Sequence, residues 1–199
     1  GNRDCSLANF NLVRAQQVIE ILSESLNEAQ VTTELDVSHF CIEARFLARQ
    51  ELSGASIAFD FSELRQHVID LKKSDAIGCV ILRGAGKCFS AGHDLADIAE
   101  GEKVPSPGWH SETLRLLEKL PMPVIAAVHG HCYTGALEVA LAADFILAAE
   151  SAKFADTHAK WALTPIWGMS QRLPRRVGIA TAKRRMFTAE TVRAAAALN

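Results

Sequence analysis

The chain has 199 residues, 49% apolar and 22% charged, with a formal net charge of −2. That composition supports a buried core and excludes both a disordered chain and the clustered cationic footprint of a dedicated nucleic-acid binder. No apolar run reaches the roughly 18 residues a membrane span needs, and the opening GNRDCSLANF matches neither a secretory nor a transit pattern.

Between Asn2 and Ser53 there is neither glycine nor proline, and residues 7–30 place Leu12, Ala15, Val18, Ile19, Leu22 and Leu26 at helical steps. Residues 34–49 are ambiguous, with 37–46 readable as a strand. Residues 61–73 carry a helical stripe (Leu64, His67, Val68, Leu71), and 76–83 include the short buried run CVIL expected of a parallel strand. A glycine-rich turn follows over 84–92, then a loop over 101–108. A helix over 111–120 is stopped by Pro121 and Pro123, and 124–128 form a second buried strand. Residues 129–135 turn sharply into a helix over 136–143, and 145–148 form a third strand. Strand, turn, helix, strand in this order predicts an α/β fold.

Two turns follow two buried strands: GAGKCFSAGHDL and HGHCYTGALE. The first is no phosphate loop, because Lys87 is followed by Cys88 where magnesium needs Ser or Thr. Taken together they suggest something else. Backbone N–H groups at a strand-to-helix turn point outward, and two such turns can aim one N–H each at a single carbonyl oxygen. Glu138 follows the second turn directly, a carboxylate beside that pair.

At these residues the chain resembles the crotonase (enoyl-CoA hydratase/isomerase) superfamily. CVILRGAGKCFSAGHDLADI resembles its first oxyanion turn, and PMPVIAAVHGHCYTGALEVALAADFILAAESAKFAD its second. TPIWGMSQRLPRRVGIATAKRRMFTAETVRAAAAL resembles its P-x-x-G-x-x-Q-R-L stretch. The resemblance implies an α/β spiral of ββα units, with residues 56–199 as the crotonase-like core. It leaves 1–55 as an N-terminal segment without a match, and it implies a C-terminal helical region truncated at Asn199. It implies oxyanion N–H donors at His93 and Gly135, catalytic groups at Glu138 and His158, and substrate-binding positions at Ala91, Gly92, Asp94, Leu95 and Trp161. His158 stands where hydratase relatives carry a second glutamate. Thr134, Ala136 and Met169 replace glycines, and only Ala58-Phe59-Asp60 resembles the usual coenzyme A segment.

Other residues have plainer readings. His129 and His131 lack a third ligand, so no metal is expected. Cys132 reads as a small buried thiol, Asp144 as structural, and Trp161 and Trp167 as core or pocket wall. The cluster from Arg172 to Arg185 reads as a solvated helical face, or as an attractor of coenzyme A phosphates. The five cysteines never form C-x-x-C, which fits a reducing compartment. The chain is therefore expected in the cytoplasm, or in the mitochondrial matrix if eukaryotic. The expected function is an acyl-CoA thioester enzyme of hydratase/isomerase type, with coenzyme A entering only as part of the substrate and no separate cofactor. A homotrimer or dimer of trimers is expected, with neither membrane nor nucleic acid as partner. Two alternatives stand beside it: a thioester decarboxylase, and a catalytically degenerate member kept for binding or assembly.

Overall fold

The computed structural model describes residues 41–46, 61–74, 77–84, 87–93, 98, 101, 104–106 and 108–197. The helix expected over 7–30 lies outside the described residues. The ambiguous stretch 34–49 contributes strand β1, Cys41–Phe46. Next come helix α1 (Phe61–Leu71), strand β2 (Cys79–Gly84), α2 (Trp109–Leu117), β3 (Val124–Val128), β4 (His131–Tyr133) and α3 (Gly135–Leu141). The rest comprises β5 (Phe145–Ala148), β6 (Lys153–Ala155), a 3₁₀ turn (His158–Trp161), α4 (Met169–Val177), α5 (Ile179–Thr188), β7 (Val192–Arg193) and α6 (Ala194–Ala197). Among the described residues no helix is long and apolar enough to cross a membrane.

Four strands form a parallel sheet in the order β1-β2-β3-β5, and three short ones form a second in the order β4-β6-β7. The chain alternates between the two. Strand β3 lies in the first sheet and β4 in the second before α3 begins; β5 and β6 repeat the step before the 3₁₀ turn and α4. Strand β2 follows the same course in reduced form, because Ser90 beyond it bridges Cys132 of β4 in parallel. The result is the α/β fold that the sequence pattern predicts, in the spiral of ββα units that the resemblance implies.

Side-chain period explains why the strands read as unbroken apolar runs. Val80, Leu82, Val124, Ala126 and Val128 face the main core, whereas Cys79, Ile81, Ile125 and Ala127 form a second cluster. Helix α1 buries Phe61, Leu64, Val68 and Leu71. His67, expected on that stripe, instead turns outward to lie 3.7 Å from Glu63 one helical turn back. Helix α2 spans Trp109–Leu117 rather than 111–120. Its start is held by Arg65, whose guanidinium lies 4.1 Å from the Trp109 ring.

Asp144 is structural, as expected. Its Oδ2 accepts the Val124 N–H at 2.7 Å, and its own N–H donates to the Val124 carbonyl at 2.9 Å. Arg176 of α4 then donates to the carbonyls of Ala143 and Asp144 at 2.5 and 2.8 Å, closing the C-terminal end of α3. Arg172 binds Glu118 at 2.7 Å and the Trp167 carbonyl at 2.5 Å. Two members of the basic cluster are thus fasteners rather than a free cationic face. Replacing Asp144 by Ala strands the Val124 N–H and should lower the unfolding free energy by about 1–3 kcal/mol in urea titration. Asp144→Asn retains an acceptor oxygen and should lose less; an unchanged midpoint in Asp144→Ala would contradict the clamp.

Candidate active site

The two glycine-bearing turns lie side by side. The Phe89 N–H donates to the His129 carbonyl at 2.8 Å, the Ser90 N–H to His131 at 3.0 Å, and the Tyr133 N–H to Ser90 at 3.4 Å. These bonds fix the register of one turn on the other. A Cβ built on Gly92 would lie 3.6 Å from the Gly135 nitrogen, so the Ala91-Gly92-His93 turn meets the start of α3. His93 and Gly135, the donor positions that the resemblance implies, thereby lie on adjoining turns, while Asp94 and Leu95 lie outside the described residues.

Gly135 is the first residue of α3, so its N–H has no acceptor within that helix. A side chain cannot be added there, because a Cβ would meet Trp167 Cζ3 at 2.4 Å. Thr134 just before it adopts φ +54° and ψ −112°, a positive-φ conformation that costs a residue other than glycine about 1–3 kcal/mol. Three contacts hold it there. Its N–H donates to the Ala155 carbonyl at 2.8 Å, its Oγ1 accepts the Thr157 N–H at 3.3 Å, and the two threonine hydroxyls bond each other. The start of α3 is thus tied to the loop that carries His158. Above it, the Trp167 ring packs on those of Phe61, His110 and His93 at 4.5, 4.9 and 5.2 Å. The sequence assigned the His93 imidazole no task; it helps build this wall.

Glu138 lies three residues beyond Gly135 and is 1% exposed. Its Oε1 accepts the N–H of Met169, the first residue of α4, at 2.8 Å. A helix N-terminus suits a carboxylate through both its unpaired N–H groups and its dipole. Oε2 lies 3.8 Å from His158 Nε2. On the other side of the ring, His158 Nδ1 lies 2.5 Å from Asp156 Oδ1. Burial pushes the Glu138 carboxyl above the usual carboxylate range. The Met169 N–H, the His158 charge and the Trp167 backbone pull it back, and Asp156 adds to the upward push. The upward push makes the carboxyl a weaker acid, which suits a group that must return a proton as well as take one.

Glu138 and His158 open into one cavity of about 680 Å³, together with Ala91, His93, Gly135 and Trp161. Trp161, 56% exposed, is cavity wall rather than core. Cys132 is fully buried, and burial raises its thiol well above the ordinary range, in keeping with an inert side chain. Sequence reasoning missed the positive φ of Thr134, Met169 as a backbone donor, and Asp156 as the partner of His158. Thr134 and Met169 showed only as replacements of glycine, and Asp156 only in the Asp-Thr-His spacing.

A family model described as enoyl-CoA hydratase/isomerase matches residues 56–199. Crotonyl-CoA hydratase of Syntrophomonas wolfei is 35% identical over 66% of this chain and 52% of its own length. The 1,2-epoxyphenylacetyl-CoA isomerase of Escherichia coli is 36% identical over 61% of this chain and 49% of its own. The crystal structure of an enoyl-CoA hydratase from Bacillus anthracis superimposes with a TM-score of 0.63 at 36% identity, over 68% of this chain and 54% of that one. The chain spans about half the length of the curated relatives it matches.

Because burial raises the Glu138 pKa, the fold favours the neutral acid. Stability is therefore lost as pH rises from the ordinary carboxylate range through the raised value. Glu138→Gln, which keeps an oxygen for the Met169 N–H, should raise the melting temperature at pH 8, with the gain shrinking toward pH 4. A Glu138→Gln variant less stable than wild type at pH 8 would contradict this.

Proposed function

The chain belongs to the enoyl-CoA hydratase/isomerase family, and from that premise we propose that it acts on an acyl-CoA thioester, adding water to an enoyl group or moving its double bond. In this reading the thioester carbonyl lies between the N–H groups of His93 and Gly135. The oxygen gathers charge as the α-carbon becomes an enolate. One such donor is worth about 3–4 kcal/mol of barrier in comparable sites. In hydration a proton leaves the water as its oxygen bonds to the β-carbon and a proton reaches the enolate carbon, with Glu138 as the acid/base group that exchanges protons with the substrate. In isomerisation, Glu138 removes a proton from one carbon and returns it to another. His158 stands beside Oε2 as a second hydrogen-bonding group. Ala91, Gly92, Asp94, Leu95 and Trp161 contact the substrate, and coenzyme A arrives as part of it, so no separate cofactor is needed.

One observation carries the reading: a buried carboxylate, fixed at Oε1 by the Met169 N–H, opens into the same cavity as His93 and Gly135. A member kept only for binding has no need to desolvate a carboxyl in that position. Histidine in place of a second glutamate fits double-bond isomerisation or decarboxylation, where a single acid/base group suffices, as well as hydration aided by the imidazole. Assembly as a trimer or dimer of trimers is part of the proposal, supported by Ile179 and Phe187, 67% and 75% exposed on α5.

The test is turnover of crotonyl-CoA, followed by loss of enone absorbance, beside a 3-enoyl thioester for isomerisation. Wild type should convert at least one. Glu138→Gln should lower kcat about 10²–10⁴-fold, with KM within about threefold. A wild type inert toward both, or a fully active Glu138→Gln, would overturn the proposal.

A further inference from the structure

Three buried titratable side chains follow one another by contact: Glu138 at 1% exposure and His158 at 8% in the cavity lining, and Asp156 at 2% behind the imidazole. The mechanism above uses the first two and leaves Asp156 without a task. We propose that Asp156 is a positioning residue, which fixes His158 as the Nδ1–H tautomer and makes its Nε2 a second proton acceptor beside Glu138. The inference rests on the reading of this cavity as an acyl-thioester site.

The geometry leaves the imidazole little choice. Asp156 Oδ1 lies 2.5 Å from Nδ1 and also accepts the backbone N–H of His158 at 3.1 Å. An ionised carboxylate only accepts, so the Nδ1 end of the ring must supply the hydrogen. A neutral ring then carries its lone pair on Nε2, on the side of Glu138 and the cavity. The 3.8 Å between Nε2 and Oε2 is too long for a direct hydrogen bond, yet one water or substrate hydroxyl can reach both atoms. The base of the dyad is itself anchored. Asp156 directly follows β6, and the next residue, Thr157, donates its N–H to Thr134 at the start of α3. The dyad and the Gly135 N–H are therefore held by one framework.

Two basic or acid groups at one site can divide the labour. Burial favours the neutral form of Glu138, which suits a proton donor; Nε2 of an Asp-paired histidine suits the acceptor. Water bridging the two would pass its proton to Nε2 while Glu138 supplies the proton that the α-carbon needs. Each step moves one proton, and the pair ends with its protons exchanged: His158 charged, Glu138 ionised. Proton return from Nε2 to Oε2 restores the starting state. A carboxylate at position 158 would instead stand against Asp156, so this chain is built around the imidazole rather than around a missing glutamate.

The experiment uses the full chain labelled with [15N]histidine. Long-range 15N–1H correlation spectra report which ring nitrogen of His158 carries the hydrogen, with the signal assigned by its loss in His158→Gln. Wild type should show the Nδ1–H tautomer in the neutral ring. Asp156→Asn, whose amide can donate to Nδ1, should move the ring toward Nε2–H. It should also lower kcat for crotonyl-CoA hydration about 100-fold or more, with KM within about threefold. Asp156→Glu should recover part of the loss. A wild-type ring in the Nε2–H form overturns the proposal even if Asp156→Asn fails to fold. So does a tautomer change that leaves kcat intact, since Asp156 would then be structural alone. A wild type inert toward enoyl thioesters overturns the functional reading instead, while the tautomer measurement still decides the dyad.

Discussion

Everything at this site depends on the lateral bonding of two turns that come from different strands. The Phe89, Ser90 and Tyr133 N–H groups fasten the 87–93 segment to the 129–133 segment, and the backbones touch. Gly130 makes the contact possible: it adopts φ +57°, and a Cβ there would meet the Lys87 carbonyl at 2.4 Å. A one-residue slip would turn Ser90 and Cys132 to opposite faces and separate His93 from Gly135. With the register held, α3 starts beside the His93 turn, and Glu138 falls one helical turn inside it.

Helix α4 supplies the second constraint. Its first N–H holds Glu138 Oε1, so the carboxylate presents only Oε2 toward His158. Arg176 binds the far end of α3 and Arg172 binds the Trp167 carbonyl, so α4 is fastened to the site at both ends. Trp167 in turn covers Gly135 and supports the His93 ring. Part of this rigidity offsets the positive-φ conformation of Thr134. The hydroxyl that a glycine would lack is what links the helix start to Thr157, and through it to the segment that carries Asp156 and His158.

The legible part of this structure was local. Unbroken apolar runs located β2, β3 and β5, because strands buried on both faces lose their alternation. Glycines and the carboxylate three residues beyond Gly135 located the paired turns. The three-residue strands β4 and β6 were invisible, since nothing in His-Cys-Tyr or Lys-Phe-Ala has a period long enough to read. Their formation is set by the bonds across from Ser90 and Thr134. Arg172 and Arg176 were legible only as charge, because a sequence does not say which carbonyl a guanidinium will reach. His158 was reached through the family resemblance, by its spacing from Glu138, and read that way it looked like a substitute for glutamate. Paired with Asp156 at 2.5 Å, it belongs to a different arrangement.

The central claim is that the His93 and Gly135 N–H groups act together on one carbonyl oxygen. Isotope-edited difference infrared spectroscopy of bound crotonyl-CoA, labelled with carbon-13 at the thioester carbonyl, reads that contact without requiring turnover. Two N–H donors on the oxygen predict a carbonyl stretch at lower wavenumber than in free solution, in Glu138→Gln as well as in wild type. A stretch that keeps its free-solution value when the thioester is fully bound would contradict the claim.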